Sequence, residues 1–268
     1  MYQPKPETLL SLKMKSIVVT FSIIILLLSC NSRDKTSAQT EVIEIPEVET
    51  IIKSDLNINK DFVLGKFDYK SDSTFIKVDA QHASKDIYLK KEAYDAFLQM
   101  VEAANGDGVN LKIVSGTRNF EEQKVIWERK WRKYKQLEPK ERALKILEYS
   151  SMPSSSRHHW GTDIDLNSLN NSYFNSGKGL KAYEWLTANA NSFGFYQVYT
   201  DKSNGRTGYN LEKWHWSYLP LASNYLEFYN ANINTEDISG FEGAELAEVL
   251  LIIEEYVNGI SEKAKQYK

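Results

Sequence analysis

The chain reads as an α+β domain, and three observations carry that reading. Strand-like runs alternate with amphipathic helical runs, but without the regular rhythm of successive βαβ units. No internal repeat marks a solenoid or a propeller. At 268 residues, with 42% hydrophobic and 26% charged side chains, the chain holds one domain of ordinary globular composition plus tails. A net charge of −3 supplies no basic stripe, so no nucleic-acid partner is expected. Six Trp and sixteen Tyr are many for this length, and most of them are expected to fill core.

The N-terminal residues read as a processing signal. Lys13-Met14-Lys15 precedes an apolar run over 17–28 that is too short to span a bilayer and matches the central region of a secretory signal. The run ends in Leu27-Leu28-Ser29-Cys30, which resembles the lipobox of bacterial lipoproteins, where the cysteine is lipidated and becomes the mature N-terminus. Residues 1–30 are accordingly assigned as a lipoprotein signal peptide, with Met14 an alternative start, and the protein is expected to be exported and lipid-anchored to the cell envelope. Cys30 is the one cysteine, so no disulfide is expected. Residues 31–60 are rich in Ser, Thr, Glu, Lys and Ile without a steady period, as suits a flexible tether.

The domain is placed at 61–230. Residues 75–78 form a short strand, and 90–104 a helix with Ala93, Phe97, Met100, Val101 and Ala104 on one face, ended by Asn105-Gly106-Asp107-Gly108. A strand over 111–114 runs into Ser115-Gly116-Thr117-Arg118 and leaves an arginine at its end. Asn119 and Glu122 form a capping-box pattern that starts a helix with Phe120, Trp127, Trp131 and Tyr134 on one face. Gln123 shares that face, either toward a pocket or as a solvated exception. Pro139 opens a helix to Tyr149, and 150–156 is a loop. Residues 180–193 read as a helix closed by Gly194, 195–199 as a strand, Asn204-Gly205 as a turn and 214–218 as the returning strand of a hairpin. A helix over 225–229 follows. The last segment, 231–268, is assigned as a helical extension packed on the domain, because Leu246, Val249, Leu250, Ile253 and Val257 recur at helical spacing within 244–257.

The chemistry concentrates in two stretches. Ser156-Arg157-His158-His159-Trp160-Gly161-Thr162-Asp163-Ile164-Asp165 sets His158 seven positions before Asp165, which is half of a metal site, and Glu212-Lys213-Trp214-His215-Trp216 offers a further histidine with a spare carboxylate. His158, Asp165 and His215 together leave one coordination position open, which distinguishes a catalytic zinc from a structural one, and Glu212 is then the candidate base. In a strand, Glu212 and His215 share a face only if a bend precedes His215.

Taken in order, Ser115-Gly116-x-Arg118 with Gln123, Ser156-x-His158-x-x-Gly161-x-x-x-Asp165, and Glu212-x-Trp214-His215-Trp216 resemble the zinc D-alanyl-D-alanine carboxypeptidases of the VanY type, over about 62–218. The resemblance implies a small antiparallel sheet flanked by helices, similar to the hedgehog signalling domain. It implies zinc on His158, Asp165 and His215, Glu212 as general base and Arg118 stabilising the oxyanion, with Gln123, Ser156 and Trp214 lining the substrate pocket. The implied activity is D,D-carboxypeptidase action on peptidoglycan stem peptides, with L,D-carboxypeptidase or endopeptidase action as alternatives. A non-catalytic zinc module that binds cell-wall peptide is the reading from a different class.

This sequence departs from the family pattern at several positions. Asp163 stands where alanine is common and, on a strand, shares a face with Asp165, as a supporting carboxylate or a rival ligand; the family spacing selects Asp165. His159 rivals His158, and the Ser-x-His-x-x-Gly pattern selects His158. Thr117 replaces an aromatic residue, Lys213 a proline and Ser217 an arginine.

Overall fold

The computed structural model describes residues 58–267. The expected signal peptide, Cys30 and almost all of the tether lie outside the described residues. Among the described residues no helix is long and apolar enough to cross a membrane.

In chain order the regular elements are α1 (Lys60–Val63), β1 (Phe75–Lys77), β2 (Tyr88–Lys90), α2 (Lys91–Gly106), β3 (Ile113–Ser115), α3 (Phe120–Lys133), α4 (Pro139–Leu147), β4 (Asp163–Leu166), α5 (Gly177–Asn189), β5 (Phe195–Gln197), β6 (His215–Tyr218), α6 (Leu219–Asn232) and α7 (Glu262–Lys265). Strands β1 and β2 pair as a separate antiparallel ribbon, while the central sheet is antiparallel in the order β3-β4-β6-β5. The class is therefore α+β, as the sequence indicates.

Alternation along β4 and β6 gives this sheet two unlike faces. Ile164, Leu166 and Trp216 enter a core with Phe97, Met100 and Val101 of α2 and with Trp185 and Leu186 of α5. The intervening residues Asp163, Asp165, His215 and Ser217 fall on the opposite face, all buried. The register pairs Asp165 with His215 and Asp163 with Ser217, so four polar side chains form a compact block across two strands.

A second core lies around α3 and α6, where Trp127, Trp131, Tyr225 and Tyr229 pack with Trp160 and Phe62. Helix α3 starts where the capping box places it: Asn119 accepts from the Glu122 amide, and the Glu122 carboxylate accepts from the Asn119 amide. Two otherwise orphaned donors are satisfied, an arrangement worth about 1 kcal/mol. Pro220 sits in the first turn of α6, where its missing N–H costs nothing. The helix therefore starts before the expected 225 and runs beyond 229.

The expected helix over 244–257 is not continuous. A 3-10 turn at Ala244–Leu246 is followed by left-handed backbone at Leu251 (φ 49°) and a π-helical turn over Ile252–Val257. The reason is burial: Ala247, Leu250, Ile252, Val257, Ile260 and Ala264 all enter the α3/α6 core, which no single helical stripe could manage, and Val249 is left 61% exposed. Helix α6 runs through residue 230, and residues on both sides of it contribute to that core. Strand β2 was not expected from the sequence; it runs into α2 with no intervening turn residue.

Candidate metal centre

His158 reaches the site from a 3-10 turn, Arg157–Trp160, closed by Gly161 in the left-handed conformation (φ 74°). Its Nδ1–H donates to the Gly116 carbonyl at 2.8 Å, which leaves Nε2 as the free lone pair, 3.4 Å from Asp165 Oδ2. Gly116 is packed closely on its other side, where a Cβ would lie 2.6 Å from the Ile87 side chain. His215 is oriented from behind: Nε2–H donates to Asp163 Oδ2 at 2.8 Å and turns Nδ1 toward Asp165 Oδ1 at 3.1 Å. One ligand atom each from His158, Asp165 and His215 lies within 4.8 Å of the others, and all three residues are buried. Two imidazole nitrogens and one carboxylate, with both outer ring nitrogens engaged, fit a zinc ion with three protein ligands and one open position.

Asp163 and Asp165 do share the His215 side of β4, but at different ring nitrogens. Asp163 is saturated by protein donors: besides His215 it accepts from Arg157 Nε at 3.1 Å, Thr162 Oγ1 at 2.9 Å and Ser217 Oγ at 2.7 Å. Arg157 also donates to Ser217 Oγ at 2.6 Å. The Arg157–Asp163 ion pair is completely buried. Burial alone would raise both carboxyls and lower His215. Asp163 and Asp165 push His215 up to about 10, while Arg157 and the histidines hold Asp163, and the two histidines hold Asp165, well below the usual carboxylate range.

His159 is fully occupied elsewhere. Its Nδ1–H donates to the Arg118 carbonyl at 2.7 Å and Nε2 accepts from the Ser154 amide at 3.1 Å, and burial pushes it down to about 3. The neutral ring ties the Arg118 turn to the loop before His158.

Glu212 precedes β6 in a turn, with the His215 amide on its carbonyl at 3.3 Å, which supplies the bend that a plain strand lacks. Its Oε2 lies 3.6 Å from His215 Nδ1. Burial pushes the carboxyl up to about 8, with Asp165 adding to the rise and His215, Arg118 and Lys130 opposing it. The long connection from β5 to β6 that carries Glu212 is held by Arg206. This guanidinium donates to the carbonyls of Thr200, Thr207 and Tyr209 and, at 2.9 Å, to that of Gly259.

Arg118, Gln123, Ser156 and Trp214 line the same cavity, of about 680 Å³, as the three clustered residues and Glu212. Arg118 donates from Nε to Gln123 Oε1 at 3.0 Å and from Nη1 to Ser115 Oγ. Gln123 is buried, and its Nε2 donates to the Ser151 carbonyl at 2.8 Å, so both ends of the amide are engaged in holding Arg118. Ser156 Oγ is buried without a hydrogen-bond partner, a donor left for a ligand. Trp214 packs on Tyr149 with ring centroids 6.1 Å apart. The sequence reading overlooked Lys130, Tyr199 and Tyr209, which also line the cavity. For Lys130 a signal existed: it follows Gln123 by two helical turns.

A small antiparallel sheet carrying a buried two-histidine, one-carboxylate cluster beside a glutamate defines a centre of the catalytic metal type. The model of the VanY family, D-alanyl-D-alanine carboxypeptidase, matches residues 86–221, half of the chain, and the chain belongs to this family. It is 33% identical over 134 residues to the putative carboxypeptidase YodJ of Bacillus subtilis (strain 168), covering 49% of this chain and 46% of that one. It is 29% identical over 138 residues to a D-alanyl-D-alanine carboxypeptidase of Enterococcus faecalis, covering 51% and 48%. The chain thus spans about half the length of the curated relatives it matches. Among solved structures, VanYB in complex with D-alanine-D-alanine aligns with a TM-score of 0.47 and 23% identity, over 61% of this chain and 92% of that one.

Proposed function

We propose that this protein is a zinc-dependent D-alanyl-D-alanine carboxypeptidase that trims the terminal residue of peptidoglycan stem peptides. The observation that carries the reading is the meeting, in one cavity, of the His158–Asp165–His215 cluster with Glu212 and Arg118. His158 Nε2, Asp165 and His215 Nδ1 would hold the ion. Zinc, when bound there, supplies Lewis acidity toward the scissile carbonyl and lowers the pKa of water.

The chain's own groups perform the remaining work. Glu212 Oε2 accepts a proton from the attacking water and returns it to the amine of the departing residue as the C–N bond breaks. Arg118, fixed by Gln123 and Ser115, faces the carbonyl oxygen as it gains negative charge. Asp163 keeps the His215 ring in the tautomer that leaves Nδ1 free. A binding module would have no use for a buried glutamate at this distance from the cluster, which favours catalysis over the non-catalytic alternative.

Release of D-alanine from an acetylated L-lysyl-D-alanyl-D-alanine tripeptide tests the reading. Wild type should release it, a chelator should stop it and added zinc should restore it. Glu212→Gln should keep near-stoichiometric zinc while turnover falls by about 10²- to 10⁴-fold. A metal-replete Glu212→Gln protein with wild-type turnover would remove Glu212 as the base.

Attachment to the cell envelope through lipidated Cys30 is part of the same proposal and rests on Leu27-Leu28-Ser29-Cys30. Cys30→Ala should leave the membrane fraction, and a variant that fractionates like wild type would refute the anchor.

A further inference from the structure

The connection between β5 and β6 that carries Glu212 is fastened from outside the family match at 86–221, by residues of the segment 252–261. Arg206 is 7% exposed, and the five N–H groups of its guanidinium are all engaged by backbone. Nε and Nη2 donate to the Thr200 carbonyl, Nη2 also to that of Tyr209, and Nη1 to those of Thr207 and Gly259. With no donor left over, this buried arginine joins chain segments and has nothing to offer a ligand. The segments also approach each other more closely than side chains permit. A Cβ on Gly208 would strike the Glu255 carbonyl, and one on Gly259 would lie 2.9 Å from the Thr207 carbonyl.

The same segment covers one edge of the central sheet. Strand β5 lies at that edge, and Ser261 donates from its amide to the Val198 carbonyl at 2.8 Å and from Oγ to the Gln197 carbonyl at 2.9 Å. Gln197 and Tyr199 are in turn the residues on which the Glu212 backbone rests. Gln197 Nε2 donates to the Glu212 carbonyl at 3.1 Å, and the Tyr199 carbonyl accepts from the Glu212 amide at 3.0 Å. Ring contacts run the same way, from Tyr256 to Tyr209 at 5.1 Å between centroids, Tyr209 to Tyr199 at 4.9 Å and Tyr199 to His215 at 4.6 Å.

We infer that the segment 252–261 is a positioning element for the base, holding Glu212 through Arg206 and β5 at the distance from the His158–Asp165–His215 cluster that proton transfer needs. The inference rests on the carboxypeptidase reading and deepens it, because it gives a part of the chain outside the matched domain a share in turnover. Neither Arg206 nor any residue of the segment lines the cavity, so its effect falls on the placement of Glu212 and not on contact with substrate.

Turnover of the acetylated tripeptide, measured per bound zinc, tests this in Arg206→Met, Arg206→Lys and Ser261→Ala, with Leu186→Ala as the comparator for lost stability alone. Arg206→Met should lower kcat about 10- to 100-fold, the scale of a catalytic group displaced by about 1 Å, with KM and zinc content within about twofold of wild type. Arg206→Lys, which keeps a cationic donor, should recover part of that loss, and Leu186→Ala should keep the wild-type kcat. In Arg206→Met the Glu212 amide should also exchange with solvent at least about fivefold faster relative to the amides of β4. Should Arg206→Met not fold, Ser261→Ala carries the test, with kcat lowered about two- to threefold at unchanged KM. Wild-type kcat per zinc in folded Arg206→Met, or in Ser261→Ala where that protein does not fold, overturns the assignment alone, since wild-type release of D-alanine would stand. An equal fall in Leu186→Ala overturns it as well. Failure of wild type to release D-alanine removes the carboxypeptidase reading and this assignment together.

Discussion

The two faces of the β4/β6 pair are both fully buried, yet they are built on opposite terms. On the α2/α5 side, Ile164, Leu166 and Trp216 fill volume among other apolar side chains, and each contributes by the area it removes from water. On the other side, Asp163, Asp165, His215 and Ser217 are buried only because each has partners, and those partners are shared. The apolar face loses stability locally when one side chain is removed. The polar face is a coupled network in which removing one member leaves another charge unmatched.

Substitutions on each face break this comparison to different degrees, ordered here by their effect on the metal. Asp165→Ala removes a ligand, so purified protein should carry little zinc, as metal analysis would report; full occupancy would reassign the ligand. Asp163→Ala should retain zinc at saturating metal, with affinity reduced about 10- to 100-fold by loss of the His215 partner. It should also cost about 3–5 kcal/mol in denaturant unfolding, because Arg157 is stranded without its counter-charge. Arg157→Met in the same chain should recover part of that stability but none of the metal affinity, which separates the two roles of Asp163. Leu186→Ala, in the apolar core, should lose about 2–5 kcal/mol and leave zinc affinity unchanged in a competition titration. A matching loss of zinc affinity in Leu186→Ala would mean that the two faces are not independent.

The readable parts of the site were those in which spacing alone sets geometry. Asp163 and Asp165 share a side of a strand at any position in any sheet, and the capping box of Asn119 and Glu122 is local by nature. The sequence could not reveal which ring nitrogen of His215 each aspartate meets, because that depends on register with β6. It was also silent on Arg157, whose partner Asp163 is near in sequence but whose second partner, Ser217, comes from the neighbouring strand. The segment over 244–257 misled for a related reason. Its apolar spacing suits a helix, but it wraps the tryptophans of α3, with the Glu242 carbonyl accepting from Trp127 Nε1 at 2.8 Å, and so must turn where a helix would continue.

The Arg206 contacts carry a consequence for the order in which the protein is made. All three sequence motifs have been synthesised by residue 216, but the connection that holds Glu212 gains its later fastenings only when the Gly259 carbonyl meets the guanidinium and the Ser261 amide meets the Val198 carbonyl. Until then a buried-type arginine has one acceptor too few, and the stretch ahead of Glu212 lacks an anchor that the finished protein has. The nascent chain therefore passes through an interval in which His158, Asp165, His215 and Glu212 are all present and the stretch ahead of Glu212 is not yet fully fastened. Completion of the centre is timed by residues that belong to no motif.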